Sequence, residues 1–185
     1  MNALTVAHEF IKQHTPVGGT VIDATAGRGG DTALLCSLVG ECGKVIALDI
    51  QEDAVRQTRE RIAAEGYENI CTVCQDSHEN LMSYAEENSV DGIVFNFGWL
   101  PGGDHDVHTK AETSIAAIES GLRLLKKGGY MSLCVYYGRN NGYTERDAIL
   151  EYVQQLDDRK YTVMLLTFPN RKNDPPFPIM IIRDI

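Results

Sequence analysis

Short apolar runs alternate with amphipathic stretches along this chain. Apolar runs of about four to eight residues are typical of buried strands, and apolar residues spaced three or four apart are typical of helices that pack on a core. On this basis the pattern predicts a leading helix over 3–14, within a leading segment 1–15, and further helices over 31–39, 51–64, 79–86, 113–125 and 145–156. It predicts strands over 21–24, 44–48, 70–75, 90–95, 130–137, 161–168 and 178–183.

The order of these elements predicts the fold class. Strands and helices alternate through the first five strands, which is typical of a doubly wound α/β domain with a mostly parallel sheet. The last two predicted strands have only the loop 169–177 between them, so they should form an antiparallel hairpin. We therefore expect a seven-stranded sheet that ends in a hairpin, and a single domain over residues 1–185, since this length suits one domain.

Composition and charge restrict the partners. The chain has 185 residues with 17 Lys and Arg against 26 Asp and Glu, which gives a net charge of −9. This balance excludes a protein that holds nucleic acid by bulk charge, so a nucleic-acid partner would have to meet a local basic patch. No apolar run approaches the ~20 residues of a membrane span, and the five cysteines suggest reduced thiols. We expect a cytoplasmic protein without a membrane partner.

A glycine-rich turn follows the first predicted strand. Residues 21–32 read VIDATAGRGGDT, and Gly27 and Gly29 allow a ligand to approach the backbone where a Cβ atom would clash. The carboxyl end of the first strand is where open α/β sheets bind ligands. The alternative is a tight strand–helix turn without a ligand.

The residues around this turn favour a cationic ligand. The dinucleotide fingerprint would place a third glycine at position 32, where this chain has Thr32, and Asp31 at the helix start would repel a pyrophosphate. The P-loop pattern is absent. S-adenosylmethionine carries a sulfonium and an ammonium but no phosphate, and Asp23 and Asp31 can attract those groups directly or through water. The sequence therefore predicts S-adenosylmethionine as the cofactor.

Two further acidic residues end the second and third predicted strands. Asp49 comes 19 residues after Gly30, where an acidic residue binds ribose hydroxyls, and Asp76 can accept from the adenine amine while His78 packs beside the base. Each acid alone would more often be a solvated strand end. The predicted cofactor-binding residues are Asp23, Thr25, Ala26, Gly27, Arg28, Gly29, Asp31, Thr32, Asp49, Ile50, Gln51, Asp76, Ser77, His78 and Asn96.

A long loop after the fourth predicted strand reads NFGWLPGGDHDVH over residues 96–108. Loops of this length rich in glycine are usually functional or mobile. Asp104, with His105 nearby, can accept a proton or a hydrogen bond from an amine, and Trp99 can stack on a base. We therefore predict Asp104, Asn96 and His105 as catalytic residues. The alternative is a plain connector with a packed tryptophan.

Basic residues occur in two later loops. Residues 136–139 read YYGR and residues 170–173 read NRKN, and with Lys126 and Lys127 they are the main basic positions of an acidic chain. Arginine beside aromatic rings suits a phosphate and an unstacked base, although an ordinary solvated loop has the same composition. The predicted substrate-binding residues are Trp99, Leu100, Pro101, Gly102, Gly103, Tyr137, Arg139 and Arg171.

Metal and hydrolase chemistry have weaker support. Cys71 and Cys74 form a lone C-x-x-C on a predicted strand, and positions three apart on a strand point to opposite faces. The acidic and histidine residues of 104–108 lack a partner cluster elsewhere, and no G-x-S-x-G elbow is present. We predict no metal site.

Taken together, these segments resemble the class I S-adenosylmethionine-dependent methyltransferases, which have a Rossmann-like fold. Within them the chain is similar to the small rRNA methylase family of the YtqB/MnmM type. The matching segments cover nearly the whole chain: AHEFIKQH, VIDATAGRGGDT, VIALDIQ, NFGWLPGGDH, TSIAAIESGLRLLKKGGY, the YYG turn and NRKNDPP. The chain departs from the family pattern at Arg28, where the family usually has Asn, and at Arg139, where it often has His.

The resemblance implies a bacterial enzyme that methylates the amine of 5-aminomethyl-(2-thio)uridine at the wobble position of tRNA. It implies an RNA partner, the tRNA anticodon loop, and it places Asn96 where amino-group methyltransferases have a polar residue. The sequence also allows a homodimer. Two other interpretations stay open: methylation of an rRNA base or a small molecule, and a non-catalytic module that binds S-adenosylmethionine.

Overall fold

The computed structural model describes residues 1–98, 109–138 and 142–185. The helices of this part are α1 (Ala3–His14), α2 (Gly30–Val39), α3 (Glu52–Ala64), α4 (Ala111–Leu124) and α5 (Gly142–Gln154), with a 3-10 helix at His78–Ser83. The strands are β1 (Thr20–Asp23), β2 (Lys44–Asp49), β3 (Cys71–Gln75), β4 (Val90–Phe97), β5 (Leu125–Val135), β6 (Tyr161–Leu165) and β7 (Phe177–Arg183).

These strands form a seven-stranded sheet in the order β3-β2-β1-β4-β5-β7-β6. Strands β1 to β5 pair in parallel, whereas β7 is antiparallel to both β5 and β6. The prediction of a doubly wound, mostly parallel sheet with a terminal hairpin is confirmed. The strand order reverses between the neighbouring strands β1 and β4. Ligands of such folds bind outside the carboxyl ends of the strands at this switch point.

The core lies on both faces of the sheet. Alternate strand residues point to opposite faces, so Ile22 and Ile46 pack with α4 and α5, whereas Val21 and Val45 pack with α1, α2 and α3. Cys74 packs on the first face and Cys71 on the second, as the strand period predicted. Helices on both faces explain why the central strands are almost entirely apolar.

Helix α1 covers the sheet beside β5 and β7. Asn2 caps it, because its side-chain oxygen accepts from the Thr5 amide at 2.8 Å. At the other end, the Thr15 hydroxyl lies 2.6 Å from the buried Tyr130 hydroxyl, and the Phe10 ring meets the Tyr130 ring edge to face. The leading helix is thereby fixed to the sheet. In the part of the chain that the structure describes, no helix has the length and apolarity of a membrane span.

Several predicted boundaries were wrong, such as the end of β6, which stops at Leu165 and not at residue 168, and two were wrong for a tertiary reason. Helix α4 ends at Leu124, within one residue of its predicted end, but Leu125 already pairs with Val90, so β5 begins five residues before the predicted start at Tyr130. Gly128 lies within β5 with a positive φ of 78°, between Leu125 and Tyr130, where the pairing with β4 shifts register. Strand β4 runs to Phe97, two residues past its predicted end, and the neighbouring β5 supplies its partner there.

Candidate active site

A cavity of about 490 Å³ opens at the carboxyl ends of β1, β2, β3 and β4. Its volume lies within the range of small-molecule sites. Its walls are the glycine turn, the strand ends, one residue of α1 and the segment around the start of α4. The lining residues are Leu4, Ala24, Thr25, Ala26, Gly27, Arg28, Gly30, Asp31, Asp49, Ile50, Gln51, Asp76, Ser77, His78, Asn96, Gly98, Thr109, Lys110, Thr113 and Tyr136.

The glycine turn lies against helix α3. Gly27 and Gly29 have φ values of 54° and 74°, a region that favours glycine. A Cβ atom at Gly29 would lie 3.1 Å from the Thr58 Cα atom, so the side chain of any other residue would press on α3. The Thr58 hydroxyl donates to the Gly27 carbonyl at 3.1 Å. The glycines therefore allow both the turn and its close contact with α3.

Asp23 lies beneath this turn, fully buried. Its carboxylate accepts from the Thr32 hydroxyl at 2.6 Å and from the Thr25 amide at 3.2 Å. Burial, and then the nearby Asp31 carboxylate, raise the pKa of Asp23 to about 7. We predicted Asp23 and Thr32 among the residues that bind the cofactor, but neither lines the cavity, and neither does Gly29. Their contacts support the turn from below.

Asp49 connects two segments of the cavity wall. Its Oδ2 accepts from the Gly27 amide and its Oδ1 from the Gln51 amide, both at 2.9 Å. Each carboxylate oxygen has a second lone pair, so Asp49 can also accept from a ligand. The neighbouring Ile50 is 48% exposed, an apolar surface beside a polar acceptor. This combination suits a sugar with a planar base beside it.

Asp76 and His78 form the wall after β3. Asp76 accepts from the Tyr84 hydroxyl at 2.7 Å, and this bond lowers the pKa of the Asp76 carboxyl. His78 is 7% exposed, and its ring lies edge to face against Phe95 and Phe97. Burial lowers the pKa of His78, and its Nε2 has no hydrogen-bond partner among the described residues. His78 therefore packs its ring into the core at this wall of the cavity.

A hydrogen-bonded chain lies at the β4 end of the cavity. The Asn96 side-chain amide donates to Asp31 Oδ2 at 2.8 Å, and His8 Nε2 lies 2.7 Å from Asp31 Oδ1. The Asn96 backbone amide donates to the Thr25 hydroxyl at 2.7 Å. Asp31 belongs to α2, and residues of two other elements, α1 and β4, hold its carboxylate.

Sequence reasoning missed part of the wall. Leu4, Gly98, Thr109 and Tyr136 line the cavity, and burial raises the pKa of the Tyr136 hydroxyl. The Thr109 hydroxyl accepts from the Gly98 amide at 2.7 Å, so the two ends of the segment 99–108 are joined at the cavity edge. Only the helical phase of α1 could have indicated Leu4. The other members of this group are Ala24, Gly30, Lys110 and Thr113.

Several predicted substrate residues lie elsewhere. The Tyr137 ring contacts Tyr143 and Phe177 and does not line the cavity. Arg171 lies on the surface over the Phe168 ring, 4.4 Å from its centroid. Lys126 pairs with Asp91 at 2.8 Å near the amino ends of β4 and β5, whereas the cavity opens at the carboxyl ends of the strands. Lys126 and the adjoining Lys127 are therefore not part of the cavity rim.

The remaining predictions fall outside the described residues. These are Trp99, Leu100, Pro101, Gly102, Gly103, Asp104, His105 and Arg139. The acidic and histidine cluster 104–108, which we weighed as a metal site, lies there as well. Across residues 1–98, 109–138 and 142–185, no group of three or more His, Cys, Asp or Glu side chains is arranged to hold a metal ion.

The sequence matches a described protein family over most of its length. Residues 45–182 match the family described as "Putative rRNA methylase". The chain is also 32% identical over 191 aligned residues to the tRNA (mnm(5)s(2)U34)-methyltransferase of Arabidopsis thaliana chloroplasts, an alignment that covers 98% of this chain and 70% of that protein.

Two crystal structures have the same architecture. An rRNA methylase from Clostridium thermocellum, also described as putative, is 37% identical with a TM-score of 0.96, covering 99% of this chain and 98% of that one. A methyltransferase from Streptococcus mutans in complex with SAH is 35% identical with a TM-score of 0.89, covering the same shares of the two chains. The product of methyl transfer thus binds to a protein with this fold.

Proposed function

The chain belongs to the rRNA methylase family, and from that premise we propose that it is an S-adenosylmethionine-dependent methyltransferase. Its substrate is the primary amine of 5-aminomethyl-(2-thio)uridine at the wobble position of tRNA, and the RNA region that it meets is the anticodon loop. The observation that carries the proposal is the cavity, because hydrogen-bond acceptors line both of its ends: Asp49 and Asp76 at one end, and Asp31 and Asn96 at the other.

The strand order supports a direction for the cofactor in the cavity. Asp76, Asp49, Gly27 and Asn96 follow β3, β2, β1 and β4, which are consecutive neighbours in the sheet. An adenosine held by Asp76 and Asp49 directs the rest of the molecule past the glycine turn towards Asn96. The residues fit this cofactor, since the Asp49 and Asp76 carboxylates at the cavity wall can accept from the ribose hydroxyls and the adenine amine, and no phosphate needs a partner.

The protein's own part in the reaction is to position and to exclude water. Bound S-adenosylmethionine would supply a sulfonium methyl: the amine nitrogen would form the new N–C bond, the C–S bond would break with its electron pair on sulfur, and the nitrogen's proton would pass to water. Asn96 and Asp31 provide polar atoms at this end of the cavity. Asp104 and His105 stay predictions as groups that accept the amine proton and relay it to water. The substrate-binding residues and the homodimer stay predictions as well.

The experiment is methyl transfer from labelled S-adenosylmethionine to tRNA and rRNA from a strain that lacks this protein, followed by nucleoside mass analysis. We expect label in tRNA as 5-methylaminomethyl-(2-thio)uridine. Asp49→Ala should abolish transfer, because it removes the acceptor that holds the Gly27 and Gln51 amides. The matched control is Asp53→Ala, an exposed carboxylate of α3, which should keep wild-type transfer.

Other outcomes have distinct meanings. Label in rRNA alone would keep the methyltransferase and contradict the tRNA substrate. Absence of label in both RNAs, with cofactor binding measured by calorimetry, would leave a small-molecule enzyme or a non-catalytic module. Absence of cofactor binding would contradict the proposal as a whole.

A further inference from the structure

One face of α1 points to the cavity. Leu4 and His8 are four residues apart, so they lie on the same side of the helix. Leu4 lines the cavity, and His8 reaches Asp31, which lines it as well. The adjoining side of α1 is fixed, because Ala7 and Ile11 are buried and Ile11 packs in the core of the sheet. The helix therefore holds the His8 side chain at a defined place beside the active site.

His8 and Asn96 share one carboxylate. Asp31 Oδ1 meets His8 Nε2 and Asp31 Oδ2 meets the Asn96 amide, at 2.7 and 2.8 Å. An ionised carboxylate only accepts hydrogen bonds, so His8 Nε2 is the donor, and each Asp31 oxygen keeps a lone pair for a further donor. The Asp31 side chain is 11% exposed, so its remaining accessible surface is small and lies in the cavity wall.

We propose that His8 is a positioning residue of the methyl transfer, which holds Asp31 so that its carboxylate accepts a hydrogen bond from the substrate amine. This inference rests on the proposed function. The sequence alone had assigned Asp31 to the cationic groups of the cofactor. Its bond to Asn96 instead places it at the β4 end of the cavity, away from the Asp49 and Asp76 walls.

The charge changes of the reaction give this placement a purpose. As the N–C bond forms and the C–S bond breaks, positive charge moves from sulfur to the amine nitrogen. A carboxylate fixed beside that nitrogen stabilises the charge where it develops, and a fixed acceptor needs no reorganisation during the step. The same hydrogen bond turns the nitrogen lone pair away from Asp31 and towards the methyl group. Asp31 does not take up the proton, which leaves for water.

The test compares His8→Ala, His8→Gln and wild type on an anticodon stem–loop that carries 5-aminomethyl-2-thiouridine. We expect kcat of His8→Ala to fall about tenfold, the effect of one hydrogen bond to a charged group, and His8→Gln to recover most of it, since its amide also donates. The affinity for S-adenosylmethionine should stay within about twofold and Tm within about 2 °C in both variants. The control is His14→Gln. His14 lies on the same helix, and its ring nitrogen contacts the Phe10 carbonyl oxygen instead of Asp31.

Three results would overturn the inference while leaving the proposed function intact. They are wild-type kcat in His8→Ala, a loss of cofactor affinity as large as the loss of kcat, and a His8→Gln variant no better than His8→Ala. The second result would return Asp31 to the cofactor. A wild-type protein that binds S-adenosylmethionine but does not methylate the stem–loop would overturn the proposed function and this inference together.

Discussion

Asp23 carries a carboxyl group into the core beneath the glycine turn. Its two hydrogen bonds, from Thr32 and Thr25, stabilise the ionised form, yet burial and the nearby Asp31 outweigh them and raise the pKa of Asp23 to about 7. The charge is therefore costly in the folded state. A chain keeps such a group where the geometry of a functional turn depends on it.

This raised pKa makes folding stability depend on pH. Between about pH 4 and 7 the native state holds a proton that the unfolded chain has released, so the contribution of Asp23 to stability falls as the pH rises through that window. Asp23→Asn removes this term and keeps an oxygen acceptor. We expect the Tm of Asp23→Asn, relative to that of wild type, to rise by roughly 5 °C between pH 5 and pH 8. Thermal unfolding of both proteins at several pH values measures this difference.

The control for this series is Asp53→Asn. Asp53 is exposed, and its hydrogen bond from Arg56 lowers the pKa of its carboxyl, so its titration lies below pH 5 in both states. Its Tm difference from wild type should stay flat across the same window. A flat difference for Asp23→Asn as well would mean that Asp23 ionises in the core without cost.

The residues that sequence could locate are those whose role follows from their place on a strand. Asp49 and Asp76 end strands whose carboxyl ends meet at one edge, so an apolar run followed by an acid was sufficient to predict them. His8 was not predictable in this way, because its partner Asp31 is 23 residues away on another helix. The burial of Asp23 also escaped prediction, since its hydrogen bonds depend on how the turn closes over it.

At the scale of elements, hydrophobic period predicted every strand and α-helix of the described part, and tertiary pairing decided their ends. The glycine pair 128–129 resembles a helix stop, but Val90 of β4 already pairs with Leu125 and draws the chain into the sheet. The helix expected over 79–86 is a 3-10 helix at His78–Ser83. Local pattern therefore specifies the type of an element better than its boundary.

The contact between β4, β5 and α1 leads to a prediction about stability. A Cβ atom at Gly92 would lie 2.3 Å from the Tyr130 ring, and that ring carries the Phe10 and Thr15 contacts of α1. We expect Gly92→Ala to lower the free energy of unfolding by about 2–3 kcal/mol, because a methyl group forced into a packed core displaces its neighbours. Urea denaturation followed by circular dichroism measures this change.

Gly30→Ala is the matched control, since a Cβ atom there meets nothing within 4 Å. Gly30 begins α2, where alanine is a better helix former, so its stability should be unchanged or slightly higher. If Gly92→Ala were as stable as Gly30→Ala, the Tyr130 ring would have room to move, and the attachment of α1 to the sheet would be looser than its contacts indicate.

The charge of the whole molecule opposes its proposed substrate. A net charge of −9 repels RNA at long range, so attraction has to come from cations near the cavity. Arg28 and Lys110 line the cavity, whereas Lys126 is paired with Asp91 near the amino ends of β4 and β5. Within residues 1–98, 109–138 and 142–185, Arg28 and Lys110 are the only Lys or Arg residues that line the cavity. An RNA held by these two cations releases few counterions, and its binding should depend only weakly on salt.

This argument predicts the salt dependence of RNA binding. The slope of log K against log salt for the anticodon stem–loop should correspond to about two to four phosphate contacts, and Arg28→Gln and Lys110→Gln should each reduce it by about one. Lys127 is exposed near the amino end of β5, so Lys127→Gln should leave both the slope and the affinity unchanged. Binding measured by fluorescence anisotropy between about 50 and 200 mM salt resolves these slopes. The contrary result would be a steep slope that is reduced by Lys127→Gln but not by Lys110→Gln. It would place the RNA at the amino ends of the strands, away from the cavity.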